Sequence, residues 1–184
     1  MEKSAAAEPL NPSTPSPVRV WLVDDSRYFR SALKEMLAIC EGIQCTATFH
    51  SPNALLSALA SKSGPDVILL DIHMGNANGI DAIRPIKALS RTTQVLMLTT
   101  FFDSESKKKA LISGASDFLL KHFPIERILD SIQQAIRNPA PHLKCSPRQN
   151  WVASTARSAT ATSQPRRPLL WFKNCLDKIQ ARRN

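Results

Sequence analysis

Short runs that are apolar at nearly every position recur along the chain, and polar residues follow directly where they end. The run over 67–70 is followed by Asp71, and the run over 18–23 is followed by Asp24 and Asp25. Runs of this kind suit parallel strands that are covered on both faces. The carboxyl ends of such strands meet at one edge of the sheet, where ligands bind. The sequence therefore predicts three carboxylates close together at one edge.

Three carboxylates in one place require a compensating charge, because like charges that share a site repel unless a cation neutralises them. Ligand sets made of oxygen alone favour a hard ion such as Mg²⁺ over zinc. The sequence therefore predicts a Mg²⁺ pocket. No transition-metal site is predicted, since no cysteine stands at zinc-ligand spacing from His50, His73, His122 or His142.

Helical patterns separate the apolar runs. Residues 29–40 carry apolar side chains at the three-and-four spacing of an amphipathic helix, and Asp25 or Ser26 can cap its start. Regular alternation of strand and helix with short connections requires right-handed crossovers. The predicted fold is therefore α/β, a five-stranded parallel sheet with helices on both faces in a three-layer sandwich. The predicted strands cover 18–23, 43–49, 67–70, 94–99 and 117–120.

Glycine and proline mark several boundaries between these elements. Residues 75–79 are predicted to form a turn-rich loop, and Gly114 to end the fourth helix. Pro85 should bend or shorten the third helix, predicted over 80–89, because proline removes one backbone hydrogen bond.

Composition divides the chain into three parts. Residues 1–17, rich in Pro, Ser and Thr, are predicted to be a disordered leader, and residues 18–138 to be the folded domain. The net charge of the chain is +9, and nearly all of it lies in the last part, where residues 140–184 carry 9 Lys or Arg against Asp177 alone. Residues 139–184 are predicted to be a basic, largely disordered tail. Within it, residues 169–182 are the candidate for a short amphipathic helix.

Cysteine usage and hydropathy indicate the compartment. The first residues contain no apolar signal-peptide core, and no stretch is long enough to span a bilayer. We expect a cytoplasmic protein without a membrane span. The cysteines form no CxxC pair and are predicted to be free thiols: Cys40, Cys45, Cys145 and Cys175.

The remaining strand ends add hydroxyl and ammonium groups to the three carboxylates. Thr99 and Thr100 end the fourth strand, and Lys121 follows the fifth. This set suits phosphoryl transfer, in which two carboxylates hold Mg²⁺, Asp71 attacks phosphorus, and Lys121 with a threonine hydroxyl binds the other oxygens. The product would be an aspartyl phosphate. Taken singly, Lys121 would be a solvated side chain and Thr99 strand filler; their joint position at strand ends favours the functional interpretation.

On these residues, positions 18–138 resemble the receiver domain of bacterial two-component response regulators. The family's acidic pair matches Asp24 and Asp25, its phosphoacceptor matches Asp71, its signalling hydroxyl matches Thr99 and its pocket lysine matches Lys121. The resemblance implies a flavodoxin-like fold with strand order 2-1-3-4-5. It also implies a signalling domain rather than an enzyme.

Further roles follow from the resemblance alone. Asp25, Asp71 and the backbone carbonyl of His73 would be the direct Mg²⁺ ligands, with Asp24 acting through water. Phe118 matches the switch aromatic and would turn inward after phosphorylation. A histidine kinase would donate the phosphoryl group. The face made by helix 4, strand 5 and helix 5 would meet a downstream protein, and phosphorylation could produce a homodimer.

The sequence departs from the usual family pattern at two places. Gly75 stands where proline usually follows the residue matching Met74, and His122 stands where proline usually follows the pocket lysine. Regulators of the NarL class resemble this variant more closely. They normally continue into a helix-turn-helix domain, whose opening is faintly resembled by residues 145–149, but the amphipathic helices expected next are absent.

Two other functions stay open at this point. The basic tail, or a truncated or disrupted helix-turn-helix domain, would make the chain a DNA-associated transcriptional regulator. A phosphatase of the haloacid-dehalogenase kind could also use Asp71 as its nucleophile. That family needs a second aspartate two residues later, and His73 occupies the place. We favour a phosphorylation-operated switch that acts on another protein.

Overall fold

The computed structural model describes residues 16–61 and 63–139. Almost all of the predicted leader 1–17 and of the predicted tail 139–184, with its helix over 169–182, lies outside the described residues. These predictions stay predictions. Cys145, Cys175 and His142 lie outside as well.

Five parallel strands form the central sheet, and their order confirms the predicted topology. The order is β2-β1-β3-β4-β5, and each neighbouring pair is parallel. All but one strand have the predicted bounds; β3 is one residue longer and includes Asp71. The strands are β1 (Val18–Val23), β2 (Ile43–Phe49), β3 (Val67–Asp71), β4 (Gln94–Thr99) and β5 (Asp117–Leu120).

Five helices cover the two faces of the sheet, which confirms the three-layer sandwich. Apolar side chains of the first and fifth helices pack on one face, and those of the second, third and fourth on the other. Strands β3 and β4 are buried at every position because helices cover them on both sides. The helices are α1 (Arg27–Ala38), α2 (Pro52–Ser61), α3 (Gly79–Leu89), α4 (Ser104–Ser113) and α5 (Ile125–Arg137).

Local side-chain chemistry explains where several helices begin and end. Of the two candidate caps for α1, Ser26 acts, since its hydroxyl accepts from the Phe29 N–H. The Asp103 carboxylate accepts from two N–H groups at the start of α4. Gly114 ends α4 with a φ of 108°, a conformation that glycine adopts without steric cost.

The segment between β3 and α3 is more ordered than the predicted loop over 75–79. His73–Met74 pairs with Ala77–Asn78 in a small antiparallel hairpin that turns at Gly75. Helix α3 begins at Gly79, inside the predicted loop, and continues through Pro85 to Leu89 without being shortened.

In the described part of the chain, no helix has the length and apolar character needed to cross a bilayer.

Candidate functional site

The carboxyl ends of four strands bring the predicted site residues together at one edge of the sheet. Asp24 follows β1, Asp71 ends β3, Thr99 ends β4 and Lys121 follows β5. The parallel register sets Leu70 beside Val23, and Asp71 beside Leu98. Residues far apart in sequence therefore share one edge.

Lys121 is the cation that compensates the buried carboxylates. Its Nζ lies 2.7 Å from Asp24 Oδ2 and 2.8 Å from Asp71 Oδ2. The side chain of Asp24 is 0% exposed and that of Asp71 is 3% exposed, so neither carboxylate is solvated by bulk water. The ion pair with Asp24 and the charge-assisted hydrogen bond to Asp71 offset part of the desolvation of the two carboxylates.

Asp24, Asp25 and Asp71 form the acidic cluster that the sequence predicted. One carboxylate oxygen from each lies within 4.8 Å of the others, and Asp25 is the exposed member. Three carboxylates against one ammonium leave an excess of negative charge. Oxygen ligands at this spacing, with one side open, suit a hard divalent cation.

The pKa of Asp71 is raised above its ordinary value. Burial is the main cause, and the nearby Asp24 adds to it, while the hydrogen bond from Lys121 and the His73 backbone N–H oppose it. Lys121 shows the complementary effect. Burial acts to lower its pKa, but hydrogen bonds and charge attraction from Asp24 and Asp71 prevail and raise it.

Thr99 ends β4, the strand that pairs with β3, and Phe118 lies on β5, one strand further from Asp71. The buried Thr99 hydroxyl donates to the Phe101 carbonyl oxygen at 3.1 Å, which ties it to the loop before α4. The Phe118 ring is 6% exposed and packs edge-to-face against Phe102, with ring centroids 6.3 Å apart. In this structure the Phe118 ring is already buried, and the Thr99 hydroxyl is hydrogen-bonded to the loop before α4.

Three residues that the sequence did not single out for the site help to build it. The ring of Phe29 on α1 lies 4.9 Å from Lys121 Nζ, a cation–π distance. The Arg30 guanidinium donates to the Asp24 carbonyl oxygen. A Cβ at Gly79 would lie 1.9 Å from the Asp71 carbonyl oxygen, so only glycine permits this approach of α3 to β3.

Comparison with known proteins identifies the domain. Residues 20–133 match the family model described as the response regulator receiver domain. The chain belongs to this family. Phosphorylation-dependent switching in two-component systems is the function of the family. Receiver domains bind a divalent metal at an acidic pocket, which here corresponds to Asp24, Asp25 and Asp71, and they interact with histidine kinases, phosphatases and output domains.

The chain resembles several curated and structurally characterised receiver proteins. It is 38% identical over 117 residues to the DNA-binding transcriptional regulator NtrC of Salmonella typhimurium, a match that covers 64% of this chain and 24% of NtrC. The transcriptional regulatory protein LnrK of Bacillus subtilis is 31% identical over 115 residues, 62% of this chain and 52% of LnrK. The chain thus spans about a quarter and about half of these relatives.

The chain also resembles solved structures of receiver domains. The signal receiver domain of NarL from Mycobacterium tuberculosis has a TM-score of 0.63 and 25% identity, over 67% of this chain and 99% of that one. The response regulator domain of CheB from Thermotoga maritima has a TM-score of 0.58 and 28% identity, over 66% of this chain and 97% of that one.

Proposed function

We propose that this chain is a phosphorylation-dependent response regulator that accepts a phosphoryl group on Asp71 from a histidine kinase. One observation carries the assignment of Asp71: its buried carboxylate lies 2.8 Å from Lys121 Nζ and within 4.8 Å of two further carboxylates. A solvated aspartate or a helix cap needs neither burial nor these partners. We place the protein in the cytoplasm, with residues 18–138 as its receiver domain and 139–184 as a basic tail.

The ion at this site is proposed to be Mg²⁺, with Asp25, Asp71 and the His73 carbonyl as direct ligands and Asp24 acting through water. The excess negative charge of the cluster supports this choice. When bound, Mg²⁺ would neutralise the carboxylates and the incoming phosphoryl oxygens. Asp25 is the exposed member of the cluster and is open to an ion that arrives from solvent.

The chain's own residues account for the transfer step. An Asp71 carboxylate oxygen forms the new bond to phosphorus, while the bond from phosphorus to the donor's leaving atom breaks and its electron pair leaves with the donor. Lys121 already contacts Asp71 and would bind a phosphoryl oxygen as the charge moves outward. Thr99, at the end of the neighbouring strand, would exchange its hydrogen bond to Phe101 for one to the phosphoryl group.

That exchange supports a route from phosphorylation to partner binding. Releasing Phe101 would free the loop that precedes α4, where Phe102 packs on Phe118. We propose that this shift alters the face made by α4, β5 and α5, which would meet a downstream protein or a second copy of the chain. The protein then acts as a switch rather than as an enzyme that releases a product.

DNA-associated regulation is the second candidate, because the NtrC and LnrK relatives are described as transcriptional regulators. The 9 Lys or Arg of residues 140–184 would bind phosphates without reading sequence. Binding of the full chain to specific and scrambled duplexes across a salt series separates the two. Salt-sensitive binding of both duplexes alike would support this candidate through the basic tail, and a sequence preference would support it through a helix-turn-helix domain. No binding to either duplex at low salt would contradict it.

The phosphorylation test compares the wild-type protein with Asp71→Asn. Incubation with Mg²⁺ and a small phosphodonor should give an acid-stable, base-labile phosphoryl adduct in the wild type alone. Omitting Mg²⁺, or adding EDTA, should abolish it. Equal labelling of both proteins would contradict Asp71 as the acceptor.

A further inference from the structure

Asp25 is held in a different way from the other two carboxylates of the cluster. Asp24 Oδ1 accepts from the Ser26 N–H at 2.9 Å, two residues along the chain. Asp71 likewise has the His73 backbone N–H as a partner. Asp25 Oδ2 instead accepts from the Gly75 N–H at 3.0 Å, across 50 residues of sequence. This hydrogen bond therefore joins the end of β1 to the turn of the small hairpin after β3.

This hydrogen bond matters because Asp25 is otherwise exposed. In residues 16–61 and 63–139, no hydrogen bond or ion pair other than the one from Gly75 restrains its side chain. An exposed carboxylate without such a partner samples several rotamers, and ordering it costs free energy when a ligand binds. An ionised carboxylate has about four lone-pair sites, so one N–H leaves room for a cation.

We propose that the Gly75 N–H is a positioning group that holds the Asp25 carboxylate toward the divalent-cation site. The inference rests on the proposed function, and it assigns part of the cation affinity to a backbone donor outside the ligand set. In metal sites of other proteins, hydrogen bonds that orient the ligating carboxylates contribute to metal affinity.

The conformation of Gly75 offers a matched pair of substitutions. Its φ is +58°, a left-handed value, and a Cβ there would meet no atom within 4 Å. Asparagine tolerates this conformation and keeps the N–H, so Gly75→Asn preserves the donor. Proline has no N–H and fixes φ near −65°, so Gly75→Pro removes both the donor and the turn geometry.

The experiment uses the full chain labelled with ¹⁵N-glycine, which gives one amide signal for each of its five glycines. Mg²⁺ is titrated into the metal-free protein, and the Gly79 amide reports binding in every variant because its N–H, bonded to the Ile72 carbonyl oxygen, lies beside Asp71. Gly42 and Gly114, outside the site, report whether the fold is intact. We expect Gly75→Pro to weaken Mg²⁺ binding roughly tenfold, and Gly75→Asn to bind nearly as well as the wild type.

A second measurement does not depend on the proline variant. In the metal-free protein, Asp25→Ala removes the acceptor, so the Gly75 amide proton should move upfield while Gly42 and Gly114 stay in place. An unmoved Gly75 signal would show that the hydrogen bond is absent in solution and would overturn the inference, even if Gly75→Pro does not fold.

The outcomes separate this inference from the proposed function. No Mg²⁺ response in the wild type would refute the cation site itself. A wild-type response with equal affinity in Gly75→Pro would refute only the positioning role. Equal weakening in Gly75→Asn and Gly75→Pro would also refute it, since the asparagine variant retains the donor.

Discussion

The Gly79→Ala substitution would place a methyl group where α3 meets the backbone of the proposed phosphoacceptor. The added Cβ would lie 1.9 Å from the Asp71 carbonyl oxygen and 3.0 Å from its carbonyl carbon. A Cβ atom essentially never lies closer than 3.0 Å to such a neighbour, and both atoms here belong to backbone. No side-chain rotation can relieve the overlap, so α3 and β3 must separate by roughly 1 Å, which is the difference between 1.9 Å and 3.0 Å.

Two opposing terms set the expected loss of stability. Overpacking a close contact costs about 1–3 kcal/mol. Alanine in place of glycine inside a helix returns about 0.5–1 kcal/mol. We expect the free energy of unfolding to fall by about 1–2 kcal/mol. Because a displacement of about 1 Å at a reacting group can reduce a rate by about 100-fold, phosphorylation should suffer more than stability.

Urea unfolding followed by circular dichroism measures the first effect, and the rate of Mg²⁺-dependent labelling by a small phosphodonor measures the second. Gly64→Ala is the matched control. Its Cβ would lie 2.9 Å from the Ser90 hydroxyl, the end of a side chain, and Gly64 precedes β3 rather than following it. The control should lose less stability and keep the wild-type labelling rate. Unchanged stability and labelling in Gly79→Ala would refute the argument.

Three further predictions concern the buried polar groups. Lys121→Met should lower the free energy of unfolding of the metal-free protein by about 3 kcal/mol at neutral pH, because two buried carboxylates lose their cation. Lys109→Met, which removes an exposed ion pair, is the control. Equal urea midpoints for the two variants would contradict the prediction. Burial and Asp24 raise the pKa of Asp71 in the folded state, so metal-free stability should fall as pH rises from the ordinary value of 3.8 through the raised pKa. A pH series of urea unfolding should show this decline in the wild type and a shallower one in Asp71→Asn; identical profiles would exclude it. Ser131→Ala, which removes the partly buried 2.8 Å hydrogen bond to the Asp117 carboxylate, should lower the free energy of unfolding by about 1–2 kcal/mol in the same assay. No loss would argue against a stabilising role.

Much of the fold could be predicted from local patterns, because a parallel strand that is buried on both faces is apolar at nearly every position. Residues 67–70 are apolar throughout, and all four are buried in β3. The five predicted strands were confirmed, and the hairpin around Gly75 was missed because two-residue strands carry no periodicity. Helix α3 continued through Pro85 although shortening was an alternative, since its apolar face packs against the sheet.

The candidate site was predictable to the level of which residues stand at the sheet edge. Asp24, Asp71 and Lys121 were placed together from their positions after apolar runs, and the structure brings them within hydrogen-bond distance. Phe29 was read only as part of the apolar stripe of α1. Its position over the ammonium of Lys121 depends on how α1 packs against the loop after β5, which no local pattern encodes.

The amino-acid sequence by itself determined the order of the elements and the edge at which their polar residues emerge, because hydrophobic periodicity and the geometry of parallel strands are local properties. Tertiary structure alone decided that Gly75 binds Asp25, that Gly79 touches the Asp71 carbonyl oxygen, and that Lys121 bridges two carboxylates. The last two depend on contacts between different elements, and the first on contact between two loops. Such contacts form only when the whole chain has packed.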